Sequence, residues 1–251
     1  MATDVRTEIT DRVAVLTLSN PERRNALNIE LSQKLADAVR CVAADEGVGA
    51  IVITGESPAF CAGGDLSELA TADPATLHTV YAGFLAVAGC PLPTVAAVNG
   101  AAVGAGLNLA LACDLRLAGP HARFDARFLP LGLHPGGGYT WMVQRALGPQ
   151  RAAALTLFGD VADAAEAARI GLVHRVADDV VTAAVELAAN AAAAPPDLVR
   201  TTKATLRLTS GITAQADAVE IEVRAQAESV QSAAFRERLA ALQARISRSD
   251  R

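Results

Sequence analysis

The stretch from Pro93 to Asp114 constrains this chain more than any other: Pro-Thr-Val-Ala-Ala-Val-Asn-Gly-Ala-Ala-Val-Gly-Ala-Gly-Leu-Asn-Leu-Ala-Leu-Ala-Cys-Asp. Its spacing predicts a buried strand over 94–98, a turn at Asn99-Gly100, and a helix opening near Gly104. Asn-Gly marks a turn because both residues tolerate positive φ. Leu107, Leu109 and Leu111 alternate with small residues, so the helix is apolar on nearly every face and is expected to be buried. The first N–H groups of a helix have no intrahelical acceptor and lie at the positive end of its dipole. Gly104, Ala105 and Gly106 leave those amides uncovered, which is the geometry of an anion or oxyanion site. Close packing alone also accounts for small residues at such a point. A dinucleotide fingerprint is a third reading, since Asp125 follows at about the expected distance, but Leu109 stands where the third glycine belongs.

The bounds of the chain narrow these alternatives. Its 251 residues suffice for a sizeable core. The net charge of −5 and the mixed acids and bases exclude an extended nucleic-acid surface. Cys41, Cys61, Cys90 and Cys113 are widely spaced and no histidines cluster, so neither a metal site nor a disulfide framework is expected, and a reducing, cytoplasmic setting fits. The first residues carry acids and no apolar run, so no leader is expected. The charge-free span from Ala82 to Cys113 is long enough for a membrane helix, but Pro91, Pro93 and several glycines break it into strand, turn and helix.

Read in order, residues 5–9 and 13–18 form strands around a turn at Asp11-Arg12. A polar loop over 20–27 leads to a helix capped by Asn28, with Leu31, Leu35, Val39 and Val42 on one face. Residues 50–54 read as a strand covered on both faces. Residues 59–66 form a second glycine turn entering a helix through Ser67, Glu68 and Leu69, and residues 124–138 are a looser third copy. Recurrent strand–turn–helix units imply stacked turns around a shared core. The chain from Ala152 is helical, with a short extended piece at 173–176. Pro195-Pro196 is a joint before helices over about 198–210, 214–231 and 234–247, with Glu/Arg pairs on their exposed faces.

Five motifs, in order, carry a resemblance that spans almost the whole chain: Asn20-Pro-x-x-x-Asn25-Ala-Leu; Phe60-Cys-Ala-Gly-Gly-Asp-Leu66; Ala97-Val-Asn-Gly-x-x-x-Gly-x-Gly106; Cys113-Asp114; and Leu131-Gly-x-x-Pro-Gly-Gly-Gly138. Together they resemble the enoyl-CoA hydratase/isomerase (crotonase) superfamily. The resemblance implies an α/β fold, a spiral of ββα turns over residues 1–195, with a helical region over 196–251 for oligomerisation and cover of the CoA site. It implies a homotrimer or dimer of trimers. The hydrophobic content of 51% with only 4% aromatics, and the Ala/Leu faces of the last helices, agree with assembly.

By the same resemblance, an acyl-CoA is held with its thioester carbonyl between the N–H groups of Gly64 and Ala105. Chemistry alpha to a thioester passes through an enolate-like oxyanion, which each preorganised amide stabilises by about 3 kcal/mol. Arg23, Arg24, Ala26, Leu27, Ala62, Gly63, Asp65 and Leu66 would line the CoA path, with Leu242 and Arg245 reaching it from the last helix. No separate cofactor, metal, nucleic acid or membrane is implied. Hydratases of the family use two glutamates, and here Asn108 and Phe128 fall at their places. An isomerase aspartate aligns with Gly136. Neither an amide nor a phenyl ring is a base near pH 7, so hydration by paired carboxylates is expected to be very slow.

His134 carries an imidazole and lies in a loop expected beside the acyl pocket, either as an acid/base or as an ordinary loop histidine. Asp125 is expected to pair with Arg127, Asp65 to cap a helix, and Tyr139 to pack or to donate a hydrogen bond. An enzyme with atypical acyl-CoA chemistry and a non-catalytic acyl-CoA binder both fit. A dinucleotide oxidoreductase requires the fingerprint in the first βα unit, whereas here it is mid-chain and incomplete.

Overall fold

The structure is a computed structural model, and residues 3–249 are described. They divide into two compact units, one ending at Ala193 and one beginning at Ala194. The first unit holds ten strands: β1 (Asp4–Thr10), β2 (Val13–Ser19), β3 (Ala50–Gly55), β4 (Ala59–Cys61), β5 (Thr94–Val98), β6 (Ala101–Val103), β7 (Leu115–Ala118), β8 (Arg123–Asp125), β9 (Val161–Asp163) and β10 (Arg175–Val176). Its helices are α1 (Ile29–Ala44), α2 (Leu66–Leu69), α3 (Pro74–Gly89), α4 (Ala105–Ala112), α5 (Tyr139–Leu157), α6 (Ala164–Ile170) and α7 (Val180–Ala192).

Two sheets organise these elements. The larger runs β1-β2-β3-β5-β7-β10, parallel from β2 onward after the antiparallel β1–β2 hairpin. The smaller runs β4-β6-β8-β9, with β8–β9 antiparallel. Each turn of the spiral therefore lays one strand in each sheet and then returns through helix: β3–β4–α3, β5–β6–α4, β7–β8–α5. This is the expected ββα spiral. Asp11 and Arg12 close the first hairpin with positive φ at both positions, the conformation that matches the twist of paired strands.

Alternation along the larger sheet splits the core in two. Val13, Ala50, Val52, Val95, Ala97 and Leu117 point to one side, where Val180, Ala184, Ala188 and Ala192 of α7 cover them. Leu16, Leu18, Ile51, Ile53, Ala96 and Val98 point to the other, against α1, α3 and α4. Every residue of β3 is consequently buried, as its unbroken apolar run predicts. Helix α1 starts at the expected cap, with Leu31 N–H donating to Asn28 Oδ1 at 2.7 Å.

Three differences from the sequence reading bear on the site. The segment after Asn99-Gly100 is a strand, β6, before it becomes helix. The turn at 59–66 opens only the one-turn helix α2, and the return helix of that unit is α3, which was not anticipated. The extended piece expected over 173–176 is confined to Arg175–Val176. The second unit contains α8 (Pro196–Thr209), α9 (Gln215–Val230) and α10 (Ala233–Ser249), with α9 touching both of the others. Their bounds match the helices expected from the sequence to within about two residues. Among the described residues no helix is long and apolar enough to cross a membrane.

Candidate active site

The loop Asn20–Leu27 is built before the site it supports. Asn25 is fully buried with φ +60, and its Nδ2 donates to the carbonyls of Glu56 (2.7 Å) and Ala59 (2.8 Å). Its Oδ1 accepts from Asn20 N–H at 3.0 Å. Pinned in this way, the loop runs beside residues 62–65 as a short ladder. Ala62 N–H donates to Arg24 O, Leu27 N–H to Gly63 O at 2.7 Å, and Asp65 N–H to Leu27 O at 2.8 Å. Gly64 lies between those last two bonds, so the ladder orients its peptide while leaving its own N–H without a protein acceptor among the described residues.

The second amide comes from α4. Gly104, with φ +50, is its N-cap and supplies no side-chain cap, so the N–H of Ala105 opens the helix without a protein acceptor among the described residues. Gly106 follows because the helix is pressed onto β4: a Cβ there would overlap the carbonyl of Cys61 and stand 2.9 Å from its Cβ. Gly64 and Ala105 both line one cavity of about 610 Å³, within the ~300–1,000 Å³ usual for small-molecule sites.

The cavity wall is mostly apolar, with Leu69, Leu77, Val80, Phe128, Leu131 and Leu133 among its members. Its polar side chains are Arg24, Tyr81, Asn108, Arg123, Arg127 and His134. Among the described residues no aspartate or glutamate lines it. Asn108 is 2% exposed; its Nδ2 donates to Gly136 O at 2.9 Å, and its Oδ1 is buried with no donor. The Phe128 ring packs at 5.0 Å between centroids on Tyr139, a fully buried residue. Burial pushes the Tyr139 phenol above its ordinary pKa, and its oxygen accepts from Thr156 Oγ1 at 3.3 Å. Tyr139 therefore packs behind the wall rather than on it.

His134 reaches the cavity but is exposed, and its Nδ1 lies 2.7 Å from Pro135 O. A carbonyl partner assigns the proton to Nδ1 and leaves Nε2 as the free nitrogen. Asp125 is buried beneath Arg127, whose Nε and Nη2 donate to Asp125 Oδ2 at 3.0 and 2.5 Å, the pairing expected from the sequence. Asp65 caps α2, as expected: its Oδ1 accepts from Ser67 N–H at 2.9 Å and from Ser67 Oγ. That hydroxyl contact, with Arg23 at 3.5 Å, holds the Asp65 carboxyl below its ordinary pKa.

Of the residues expected along a CoA path, Arg24, Ala62, Gly63 and Leu66 border the cavity. Ala26 and Leu27 are buried, and the Leu27 peptide acts through the ladder that orients Gly64. Arg23 stands outside on its ion pair with Asp65. Leu242 and Arg245 lie on α10 of the second unit, both exposed. Among the described residues no three His, Cys, Asp or Glu side chains gather as metal ligands. The sequence reading missed Tyr81, Arg123 and Arg127 as wall residues. Asp73-Pro74 was the available signal for α3 and hence for Tyr81, since Asp73 Oδ1 accepts from Thr76 N–H and proline suits a first helical turn.

Gly64 and Ala105, whose main-chain N–H groups have no protein acceptor among the described residues, both line one mostly apolar cavity in a two-sheet ββα spiral. Comparison with known proteins makes the class specific. Residues 8–246 match the family model described as "Enoyl-CoA hydratase/isomerase". A Mycobacterium tuberculosis protein named "Probable enoyl-CoA hydratase EchA14" is 55% identical over 242 residues, covering 93% of this chain and 94% of that one. The 2,3-dehydroadipyl-CoA hydratase of Escherichia coli K12 is 38% identical over 209 residues, covering 82% of each. The crystal structure of an enoyl-CoA hydratase from Polaromonas sp. JS666 superimposes with a TM-score of 0.90 at 29% identity, covering 96% of this chain and 97% of that one. The chain belongs to the enoyl-CoA hydratase/isomerase family.

Proposed function

We propose that this protein binds an acyl-CoA thioester with its carbonyl oxygen between Gly64 N–H and Ala105 N–H, and acts at the adjacent carbons through an enolate-like state. The observation that carries the reading is the pair of amides that no protein acceptor takes, both bordering a cavity of ligand size. Relatives named as enoyl-CoA hydratases support the thioester as the ligand. Two such donors, one of them at a helix start, favour the oxyanion over the neutral carbonyl because the charge grows as the enolate forms.

Hydration by two carboxylates is not what this cavity is equipped for. Asn108 and Phe128 stand at the positions aligned with the family glutamates, and the wall carries no carboxylate to replace them. Each general acid–base contribution is worth about 10²–10⁴ in rate, so water addition should be slower by several powers of ten than with the pair in place. The same observation favours a second reading, in which the clamp holds an acyl-CoA and no turnover follows.

Crotonyl-CoA hydration, followed by loss of the conjugated thioester absorbance, tests both, with acyl-CoA binding measured by calorimetry on the same sample. Binding with very slow hydration is the expected result. Fast hydration would refute the alignment of Asn108 and Phe128 with the glutamates. Absence of acyl-CoA binding would refute the thioester reading itself.

A further inference from the structure

Strand β1 ends the larger sheet, with β2 as its only strand neighbour among the described residues, so its outer edge carries main-chain groups outside any ladder. The turn determines which groups these are. Asp11 and Arg12, both at positive φ, form a two-residue hairpin loop, so Thr10 and Val13 are a hydrogen-bonded pair. By alternation Glu8 bonds with Val15 and Arg6 with Thr17, and the N–H and C=O groups of Val5, Thr7 and Ile9 point off the sheet. The neighbouring strand agrees: the carbonyl of Leu18, opposite Val5, accepts from Glu56 N–H at 2.8 Å, on the β3 side. Among the described residues nothing else takes the outward groups of Val5, Thr7 and Ile9.

Exposed edges are usually blunted by proline, by a bulge or by charges that repel a second strand. β1 has none of these: it runs for seven residues without proline and in unbroken register with β2. Its central charges are opposite in sign and lie symmetrically about Thr7. Arg6 and Glu8 share one face of the strand, and Val5, Thr7 and Ile9 share the other. Glu8 is exposed and makes no ion pair among the described residues. Arg6 reaches Glu56 through Nη2 at 3.4 Å with half of its side chain still exposed. On the opposite face Ile9 is 51% exposed, whereas Val5 packs against the core.

We propose that two copies of this chain join edge to edge through β1, antiparallel about a two-fold axis at Thr7. In that register Val5 and the partner's Ile9 exchange main-chain hydrogen bonds, as do the two Thr7 residues, and every outward group is satisfied. Arg6 then stands opposite the partner's Glu8 in a non-hydrogen-bonded pair, the arrangement in which cross-strand side chains come closest. On the other face Ile9 is covered by the partner's Val5. Charge fixes the register: an axis moved to position 6 or position 8 sets two arginines or two glutamates face to face. An axis between residues opposes outward groups to residues already bonded within their own hairpin. The contact uses no residue of the cavity and none of the last helices.

Sedimentation velocity on the full chain reads the number of copies in the particle. The wild type is expected to hold an even number of chains, and Thr7→Pro and Glu8→Arg each to halve it. Proline removes an N–H that points off the sheet and so spares the β1–β2 ladder, whereas Glu8→Arg sets cation against cation. Arg6→Glu alone should halve the mass as well, by opposing two carboxylates. An equimolar mixture of the Glu8→Arg and Arg6→Glu proteins should recover the wild-type mass, because every facing pair is then opposite in sign. An odd number of chains in the wild type would overturn the pairing, and this count decides even if a variant fails to fold. A wild-type mass in both Thr7→Pro and Glu8→Arg would also overturn it, as would a mixture of the two folded charge variants that stays at half mass.

Discussion

Replacing Gly106 with alanine would drive a methyl group into β4 at Cys61. The added Cβ would stand 2.9 Å from both the carbonyl carbon and Cβ of Cys61, and closer still to its carbonyl oxygen. The obstacle is backbone in a paired strand, with Cys61 opposite Ala102 and Ala59 opposite Ala101, so it cannot turn aside as a flexible side chain does. Overpacking of this kind costs about 1–3 kcal/mol, and the rigid neighbour argues for the upper end. Alanine regains up to about 1 kcal/mol over glycine in a helix, which leaves roughly 2 kcal/mol of net destabilisation. For a chain of this size that lowers the thermal midpoint by about 4–8 °C.

The displacement also has a direction. Helix α4 must move away from β4, and Ala105 moves with it, whereas Gly64 stays on its ladder with Leu27. The two amides then no longer suit one oxygen, and butyryl-CoA affinity should fall at least about tenfold, the value of one lost hydrogen bond. Scanning calorimetry and titration calorimetry on Gly106→Ala read the two effects separately. Gly89→Ala, where the new methyl meets nothing within 4 Å, is the control and should hold or slightly raise the midpoint. An unchanged midpoint together with unchanged affinity in Gly106→Ala would refute the contact and the geometry built on it.

Asn25→Ala removes the three hydrogen bonds of a fully buried side chain; a loss of about 3 kcal/mol is expected, read as a fall in the thermal midpoint. Asp65 has a folded pKa below its ordinary value of 3.8, so its contribution to stability is complete above that value and is lost as pH falls through the folded pKa. Asp65→Asn should accordingly flatten the acid limb of stability below about pH 4, and an acid limb as steep as wild type would refute the assignment. Burial pushes the Cys61 thiol up to about 11, and Cys90 and Cys113 are buried as well, whereas Cys41 is exposed. A disulfide reagent should therefore label one thiol rapidly in the native protein and the other three only on unfolding; rapid labelling of a second would contradict the burial.

The parts of this architecture that could be read in advance are those in which side-chain chemistry and local geometry agree. Asn28 and the Leu31–Val42 stripe specify α1, Asp11-Arg12 a hairpin turn, and the run Ala50–Gly55 a two-sided strand. Gly104–Gly106 identified a bare helix start because small residues there suit both close packing and ligand approach, and Gly106 packs on Cys61 of β4. The smaller sheet was illegible for a physical reason. β4, β6, β8 and β9 are three residues long, too short to show a period of two, and β6 is Ala-Ala-Val. Helix α3 is free of charge from its start at Pro74 to Gly89, so it shows no polar face, and Tyr81 was lost with it. The pairing of Asp125 with Arg127 was legible because opposite charges two apart at a strand end have one obvious use. The unpaired Oδ1 of Asn108 was not, since it depends on the carbonyl of Gly136, 28 residues away.

That last dependence bears on how the proposed pair of amides and the side chains at 108 and 128 can vary independently in this fold. The two amides are positioned by main chain. Gly64 is oriented by the peptide of Leu27, Ala105 by the positive φ of Gly104, and the two halves meet where Gly106 seats on Cys61, two residues before Gly63. No side chain at 108 or 128 takes part in any of these contacts, so exchanging those side chains leaves the amides where they are. The reverse change is not free. A carboxylate at 108 would face the carbonyl of Gly136 where the amide now donates, and one at 128 would replace a ring packed on Tyr139. Arg127, the neighbour of Phe128, is committed to Asp125, and a buried carboxylate without a partner takes up a proton rather than act as a base. Paired-carboxylate chemistry would thus require rebuilding the 131–138 loop along with the two residues, whereas a neutral donor and acceptor are accommodated by the loop as it stands.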